Sequence, residues 1–236
     1  MLERSVYKKE LDYLLNEVKR RSFHPYATTH VRLPRLKLFQ LHFLFLFFEQ
    51  IGLQPALRNH YCISQMLIQL GLDSHDMVDN QSLTGEAKIK ERQLTILLGD
   101  FFSGHYYHYL AEYNQVALIY RWAEVVKTIN EDKLRLYAEG EKMTPEERLE
   151  LKQKINRFVA ESVLRWFEAD PVWFKILHHY VALKVQADER GASREILERE
   201  AAGLKEAIGQ LPDPVIRKEL SLWLDKIRCE ELLIGS

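Results

Sequence analysis

The stretch that most constrains this chain runs from Leu94 to Glu112: Leu-Thr-Ile-Leu-Leu-Gly-Asp-Phe-Phe-Ser-Gly-His-Tyr-Tyr-His-Tyr-Leu-Ala-Glu. Read at helical period, one stripe carries Leu94, Leu97, Leu98, Phe101, His105 and His108. A second carries Phe102, Tyr106, Tyr109 and Tyr113. Two such stripes leave little polar face, the pattern of a helix buried on most sides. Gly99, Ser103 and Gly104 are small residues near helical spacing, so another backbone can come close there. A glycine inside a helix costs about 1 kcal/mol against alanine, and two in one stretch predict compensating close packing. Asp100 falls at a level expected to be buried, where a carboxylate needs a donor from a neighbouring element.

The rest of the chain also reads as helix. Val6, Leu11, Leu14, Leu15 and Val18 make an amphipathic stretch ended by His24-Pro25, since the residue before proline disfavours helical backbone. A polar loop with two prolines follows, from Ser22 to Pro34. Leu36 to Phe48 is rich in Leu and Phe but only 13 residues long, and Lys37, Gln40 and His42 interrupt it. A membrane span needs about 20 apolar residues, so this is a core or interface helix, with part of its aromatic load expected to meet a partner. A third helix runs from Pro55 towards Gly71, and Asp73 to Asp79 either extend or cap it. Val116, Ile119, Tyr120, Ala123, Val126 and Ile129 stripe another helix, from Asn114 to Glu139. Thr144-Pro-Glu-Glu147 reads as a capping box, Asp170-Pro171 and Asp213-Pro214 as cap-then-proline starts, and Ser193 as a further N-cap. The expectation is an all-α bundle of about eight or nine helices without strands or repeats. The charged segment 139–152 suggests an N-terminal bundle over 1–140 and a C-terminal helical part over 141–236 packed on the same core.

With 236 residues, 47% of them hydrophobic and 28% charged, the chain can bury a full core and is not disordered in bulk. A net charge of −1 leaves no electrostatic footprint for nucleic acid. Cys62 and Cys229 make no disulfide framework, and Met-Leu-Glu-Arg-Ser-Val-Tyr-Lys-Lys-Glu is too charged for a signal peptide. A cytoplasmic protein without a membrane span is expected.

Few residues suggest chemistry unaided. His105-x-x-His108 with Glu112 lacks the i, i+4 histidine spacing of a metalloprotease helix, so no metal is assigned to it. His178 and His179 are adjacent and point to different faces, as surface or interface residues do. A His, His-Asp, Asp set of the all-α phosphohydrolases can be assembled from His42, His75-Asp76 and Asp100 or Asp132 at loose spacing. A helical protein-interaction module is a further alternative. Gly-rich phosphate loops, dinucleotide fingerprints and nucleophile elbows are absent.

Leu98-Gly-Asp-Phe-Phe-Ser-Gly-His-Tyr106 resembles the "Gly-Asp-aromatic-Leu" helix of the trans-isoprenyl diphosphate synthases. Together with Tyr106-Tyr107 and the upstream Leu72-Asp-Ser-His-Asp-Met-Val-Asp79, it is similar to one branch of that family. That branch comprises the small subunits, component 1, of heterodimeric heptaprenyl diphosphate synthases. The likeness covers roughly residues 57 to 113. It implies a synthase-like bundle, truncated or rearranged after residue 140. It also implies a larger catalytic subunit as partner, holding Mg²⁺ and prenyl diphosphate substrates, and it leaves a homodimer open when the chain is alone.

In that family an Asp-Asp-x-x-Asp motif puts carboxylates one turn apart to hold Mg²⁺ on a diphosphate. Here the place reads Asp73, then His75-Asp-Met-Val-Asp79. Matched to the first motif position, His75 costs one carboxylate; matched to a preceding histidine, it leaves only Asp76. No second such motif follows. The resemblance therefore implies no catalytic residue and no metal or other cofactor bound by this chain alone. Asp73, His75, Asp76 and Asp79 remain as a degenerate motif in the vicinity of substrate, or simply as a solvated helix end. Gly99, Asp100, Phe101, Phe102, Ser103, His105 and Tyr106 are expected at a close-packed seam, by resemblance the one facing the partner.

Overall fold

The computed structural model describes residues 4–78, 85–188 and 193–231, with side chains as far as residue 226. Among them lie ten α-helices: α1 (Lys8–Ser22), α2 (Pro25–His30), α3 (Leu38–Gln50), α4 (Pro55–Asp76), α5 (Glu86–Glu112), α6 (Val116–Glu139), α7 (Pro145–Trp166), α8 (Pro171–Asp188), α9 (Arg194–Gly209) and α10 (Pro214–Glu231). Every regular element is helical, as the periodicity predicts. The number exceeds eight or nine partly because a helix sits in the expected 22–34 loop. Pro25, which ends α1, also opens α2, where the His24 imidazole accepts a hydrogen bond from the Ala27 amide. No helix among the described residues is long and apolar enough to cross a membrane.

By their contacts the residues form two compact units. One comprises Tyr7–Phe48 and Gly52–Val126. Its centre is α3, not α5. Ten consecutive side chains, Phe39 to Phe48, are buried. A helix apolar on all faces belongs inside a core, and each phenylalanine removed from water contributes about 1.5–3 kcal/mol. The aromatic load expected to meet a partner is covered within the chain: Phe45 by Tyr7 and the Arg58 guanidinium, Phe48 by Tyr61. Gln40 and Gln65, buried between α3 and α4, join their amides at 3.1 Å.

α5 buries one face only, which corrects the expectation of a helix buried on most sides. Thr95, Leu98, Gly99, Phe102, Tyr106, Tyr109 and Leu110 face inward, while Leu97, Asp100, Tyr107 and His108 are exposed. The helix stops before Asn114, whose φ of 56° breaks the ladder. α6 also presents a different face from the one expected: Leu118, Trp122, Val125 and Ile129 are buried, and Val116 and Tyr120 are not. The Trp122 indole N–H donates to Ser64 Oγ on α4 at 3.1 Å.

The other unit comprises Met1–Val6, Glu49–Ile51 and Lys127–Ser236. Its helix starts follow the caps in the sequence. Thr144 and Glu147 form the reciprocal capping box of α7. The Asp170 and Asp213 carboxylates accept from the Val172 and Val215 amides at 2.9 and 2.7 Å. Ser193 takes the N-cap position of α9 without a side-chain hydrogen bond. Buried Glu161 of α7 accepts from Arg157 at 2.9 Å and pairs with Arg165 and His178. The neighbouring His179 bonds Glu200 of α9 at 2.9 Å, so the two histidines serve two different helices.

Candidate functional site

The acidic end of α4 and the Gly-Asp turn of α5 come together. α4 does not stop near Gly71 but continues through the acidic stretch to Asp76. Small residues make the crossing close: a Cβ on Gly71 would stand 3.2 Å from Ser103 Oγ and 3.5 Å from the Gly99 carbonyl oxygen. A Cβ on Gly99 would stand 2.5 Å from Cε1 of His75, so the imidazole fills the space a side chain would take. His75 Nε2 then lies 3.7 Å from Asp100 Oδ1. Asp100 is exposed, contrary to the expectation of a buried carboxylate.

Asp73 is already occupied. Its Oδ1 accepts from Gln69 Nε2 at 2.7 Å and meets Lys37 Nζ at 3.1 Å. Nothing in the sequence singled out these two partners; Lys37 read only as an interruption of an apolar run. Asp76 is the exposed last residue of α4, and Asp79 lies outside the described residues. A divalent magnesium ion takes oxygen ligands at near-octahedral geometry. Among the described residues no three His, Cys, Asp or Glu side chains are grouped so as to hold a metal ion, and the donors at the end of α4 do not fit one. Of the phosphohydrolase set, His75 and Asp100 meet, but His42 is buried within α3 and Asp132 pairs with Lys154 at 2.8 Å.

The seam residues divide by face. Phe102 and Tyr106 are buried, and Phe101, Ser103 and His105 are half-buried. Phe101 packs between His24 and His105, at centroid distances of 5.4 and 4.3 Å. Burial, then the nearby His108 and Arg21, lower the pKa of His105. Burial also pushes the Tyr106 and Tyr109 hydroxyls up. The Tyr109 hydroxyl shares a hydrogen bond of 2.9 Å with His60 Nδ1, under the Arg21 guanidinium. Glu112, one turn beyond His108, is drawn to Arg21 at 3.2 Å. This end of α5 is a packed aromatic and ionic layer.

Comparison with known proteins agrees with this geometry. The chain resembles solved structures of a decaprenyl diphosphate synthase from Rhodobacter capsulatus (TM-score 0.63, 12% identity, 94% of this chain and 96% of that one). It likewise resembles a geranylgeranyl pyrophosphate synthetase from the archaeon Geoglobus acetivorans (TM-score 0.61, 14% identity, 94% of this chain and 99% of that one). Such coverage carries the isoprenyl diphosphate synthase fold well past residue 140, where truncation or rearrangement was expected. Heptaprenyl diphosphate synthase component 1 of Geobacillus stearothermophilus is 42% identical over 83 residues, 35% of this chain. That match spans 36% of the relative's length. The model of the family described as heptaprenyl diphosphate synthase (HEPPP synthase) subunit 1 matches residues 24–214. A match over most of the chain, on this fold and with this altered motif, places it: the chain belongs to the heptaprenyl diphosphate synthase subunit 1 family.

Proposed function

We propose that this chain is the small, non-catalytic component of a two-part cytosolic prenyl diphosphate synthase. A larger subunit carries the aspartate-rich motifs and the Mg²⁺ ions that activate the allylic diphosphate. Together they extend farnesyl diphosphate with isopentenyl diphosphates to the heptaprenyl chain used for menaquinone. The component 1 name of the Geobacillus relative supports the existence of a second component. The observation that carries the reading is the state of the motif. Asp73 is committed to Lys37 and Gln69, and His75 is packed on Gly99. Within the complex the chain completes the fold of its partner, helps to hold substrate and influences product length.

The test is prenyl transfer from labelled isopentenyl diphosphate to farnesyl diphosphate, measured for each component and for the mixture. The mixture makes long prenyl products and this chain alone makes none. Steady turnover to such products by the chain alone contradicts the proposal.

A further inference from the structure

Between Glu17 and Glu49 the sequence has no carboxylate side chain. Six of the chain's 33 Lys and Arg fall in that span and none of its 34 Asp and Glu, so a protein of net charge −1 contains one strongly basic stretch. Half of the six are committed elsewhere. Arg20 and Arg21 pair with Glu17, Arg21 also with Glu112, and Lys37 with Asp73. Lys19, Arg32 and Arg35 are exposed and make no ion pair among the described residues.

The same stretch holds apolar side chains out of the core. From Lys19 to Leu38 only Val31 is buried, and α2 buries nothing. Phe23, Tyr26 and Leu33 are 61, 43 and 38% exposed. α5 adds exposed Ile89 and Lys90, whose ammonium lies 5.7 Å from the centre of the Tyr26 ring. Glu86 and Glu91 balance Lys88 and Lys90 at that end of α5, so the excess positive charge comes from residues 19–35. All of these residues belong to one compact unit.

The interleaving of cations and apolar groups decides what covers this surface. The core of a protein interface is depleted in lysine and continuously apolar, whereas here charges separate Phe23, Tyr26 and Leu33. A nucleic acid strand takes a basic groove with a row of aromatic platforms, and Leu33 offers no face for stacking. An anionic lipid surface meets both features at once. Its headgroups attract Lys19, Arg32 and Arg35, and its acyl boundary takes the exposed rings and Leu33. We propose that residues 19–35 dock the chain reversibly on an anionic membrane surface. Such docking is a property of this chain and does not require a second component.

The experiment is co-sedimentation of the full chain with vesicles of phosphatidylcholine, with and without phosphatidylglycerol, for the chain alone and mixed with the larger subunit. The chain pellets with the anionic vesicles and not with the neutral ones, and added salt releases it. Combining Lys19→Glu, Arg32→Glu and Arg35→Glu weakens binding by about a hundredfold, since each basic group near such a surface contributes about fivefold. Phe23→Ser weakens it by about tenfold. Both variants keep the wild-type melting temperature, because the altered side chains are exposed. Equal pelleting with both vesicle types overturns the proposal, as does undiminished binding of the triple variant. Release by isopentenyl diphosphate at matched ionic strength overturns it in favour of a small-anion site, and retention on RNA without binding to vesicles in favour of nucleic acid. Binding by the chain alone that vanishes in a stable complex means that the larger subunit covers this face, and also overturns it. If no complex forms, the functional reading fails, and the vesicle comparison with the chain alone still decides the membrane surface.

Discussion

The imidazole of His75, one residue from the end of α4, stands where a side chain on Gly99 of α5 would have to be. The degenerate acidic motif and the Gly-Asp turn are therefore halves of one contact. The same arrangement recurs between α8 and α9, where a Cβ on Gly203 would lie 2.4 Å from Cε1 of His179. In each case the absent side chain admits a ring against helix backbone.

Gly99→Leu destabilises the chain by about 1–3 kcal/mol, the usual cost of overpacking. Gly99→Ala stays near neutral, because alanine gains about 1 kcal/mol of helix propensity and the half-exposed His75 ring can turn aside. Pairing Gly99→Leu with His75→Ala recovers part of the loss, with a coupling in the range of about 0.5–3 kcal/mol for residues in contact. Chemical denaturation of the four proteins checks this, and strict additivity rules out the contact.

The carboxylates at the end of α4 differ in cost. Asp73→Asn removes the charge facing Lys37, whose side chain is mostly covered, and costs about 1–2 kcal/mol. Asp76→Ala, at the exposed helix end, changes stability by less than about 0.5 kcal/mol. Both leave the activity of the assembled complex within a few-fold. A large rise in KM with unchanged melting would instead place these groups on the substrate.

Much of the fold was legible because helical period, caps and prolines are local signals. The Thr144-Glu147 box and the Asp170-Pro171 start appear as read. What the local pattern could not supply was the choice of buried face. In α5 and α6 apolar residues lie on more than one side, and only the neighbours decide which side they cover. The α5 pattern therefore overstated its burial, and Val116 and Tyr120 were assigned inward. Conversely, the aromatic excess of Leu36–Phe48 was read as spilling onto a partner, although the chain itself surrounds α3. The meeting of α4 with Gly99 was foreshadowed by small residues, but its occupant, His75, was not. Pairing of Asp73 with Lys37 and Gln69 depends on tertiary placement and left no readable mark.

Cys62 is fully buried in α4, and burial pushes its thiol up to about 12. The thiolate is the reactive form. Alkylation by iodoacetamide at pH 8 followed by peptide mapping therefore leaves Cys62 unmodified in the native chain and modifies it in urea. Rapid native labelling of Cys62 would mean that α4 opens readily.

Glu161 gives the second unit an acid-sensitive joint. Its carboxyl is held down to about 2, first by the hydrogen bond with His178, then by Arg165 and Arg157, against the opposing effect of burial. A depressed carboxylate contributes fully above its ordinary value of 4.5 and loses that contribution as pH falls towards about 2. Glu161→Gln costs about 1.5–3 kcal/mol at neutral pH, because it removes the charge-assisted hydrogen bonds with Arg157 and Arg165, and it flattens stability over that acid window. Urea unfolding at a series of pH values checks both, and an unchanged acid slope contradicts the assignment.

In the proposed two-component synthase this chain enables catalysis without contributing a catalytic carboxylate. The most direct measurement of this is a titration of the chain into a fixed amount of the larger subunit, reading heptaprenyl diphosphate formed. Asp73→Asn, Asp76→Asn and Asp79→Asn are combined in a parallel series. Activity rises from near zero and saturates at one chain per larger subunit, and the triple variant reaches a plateau within a few-fold of wild type. A triple variant that binds equally well yet leaves the plateau lower by a factor of a hundred or more would make these carboxylates part of the reaction and contradict the account.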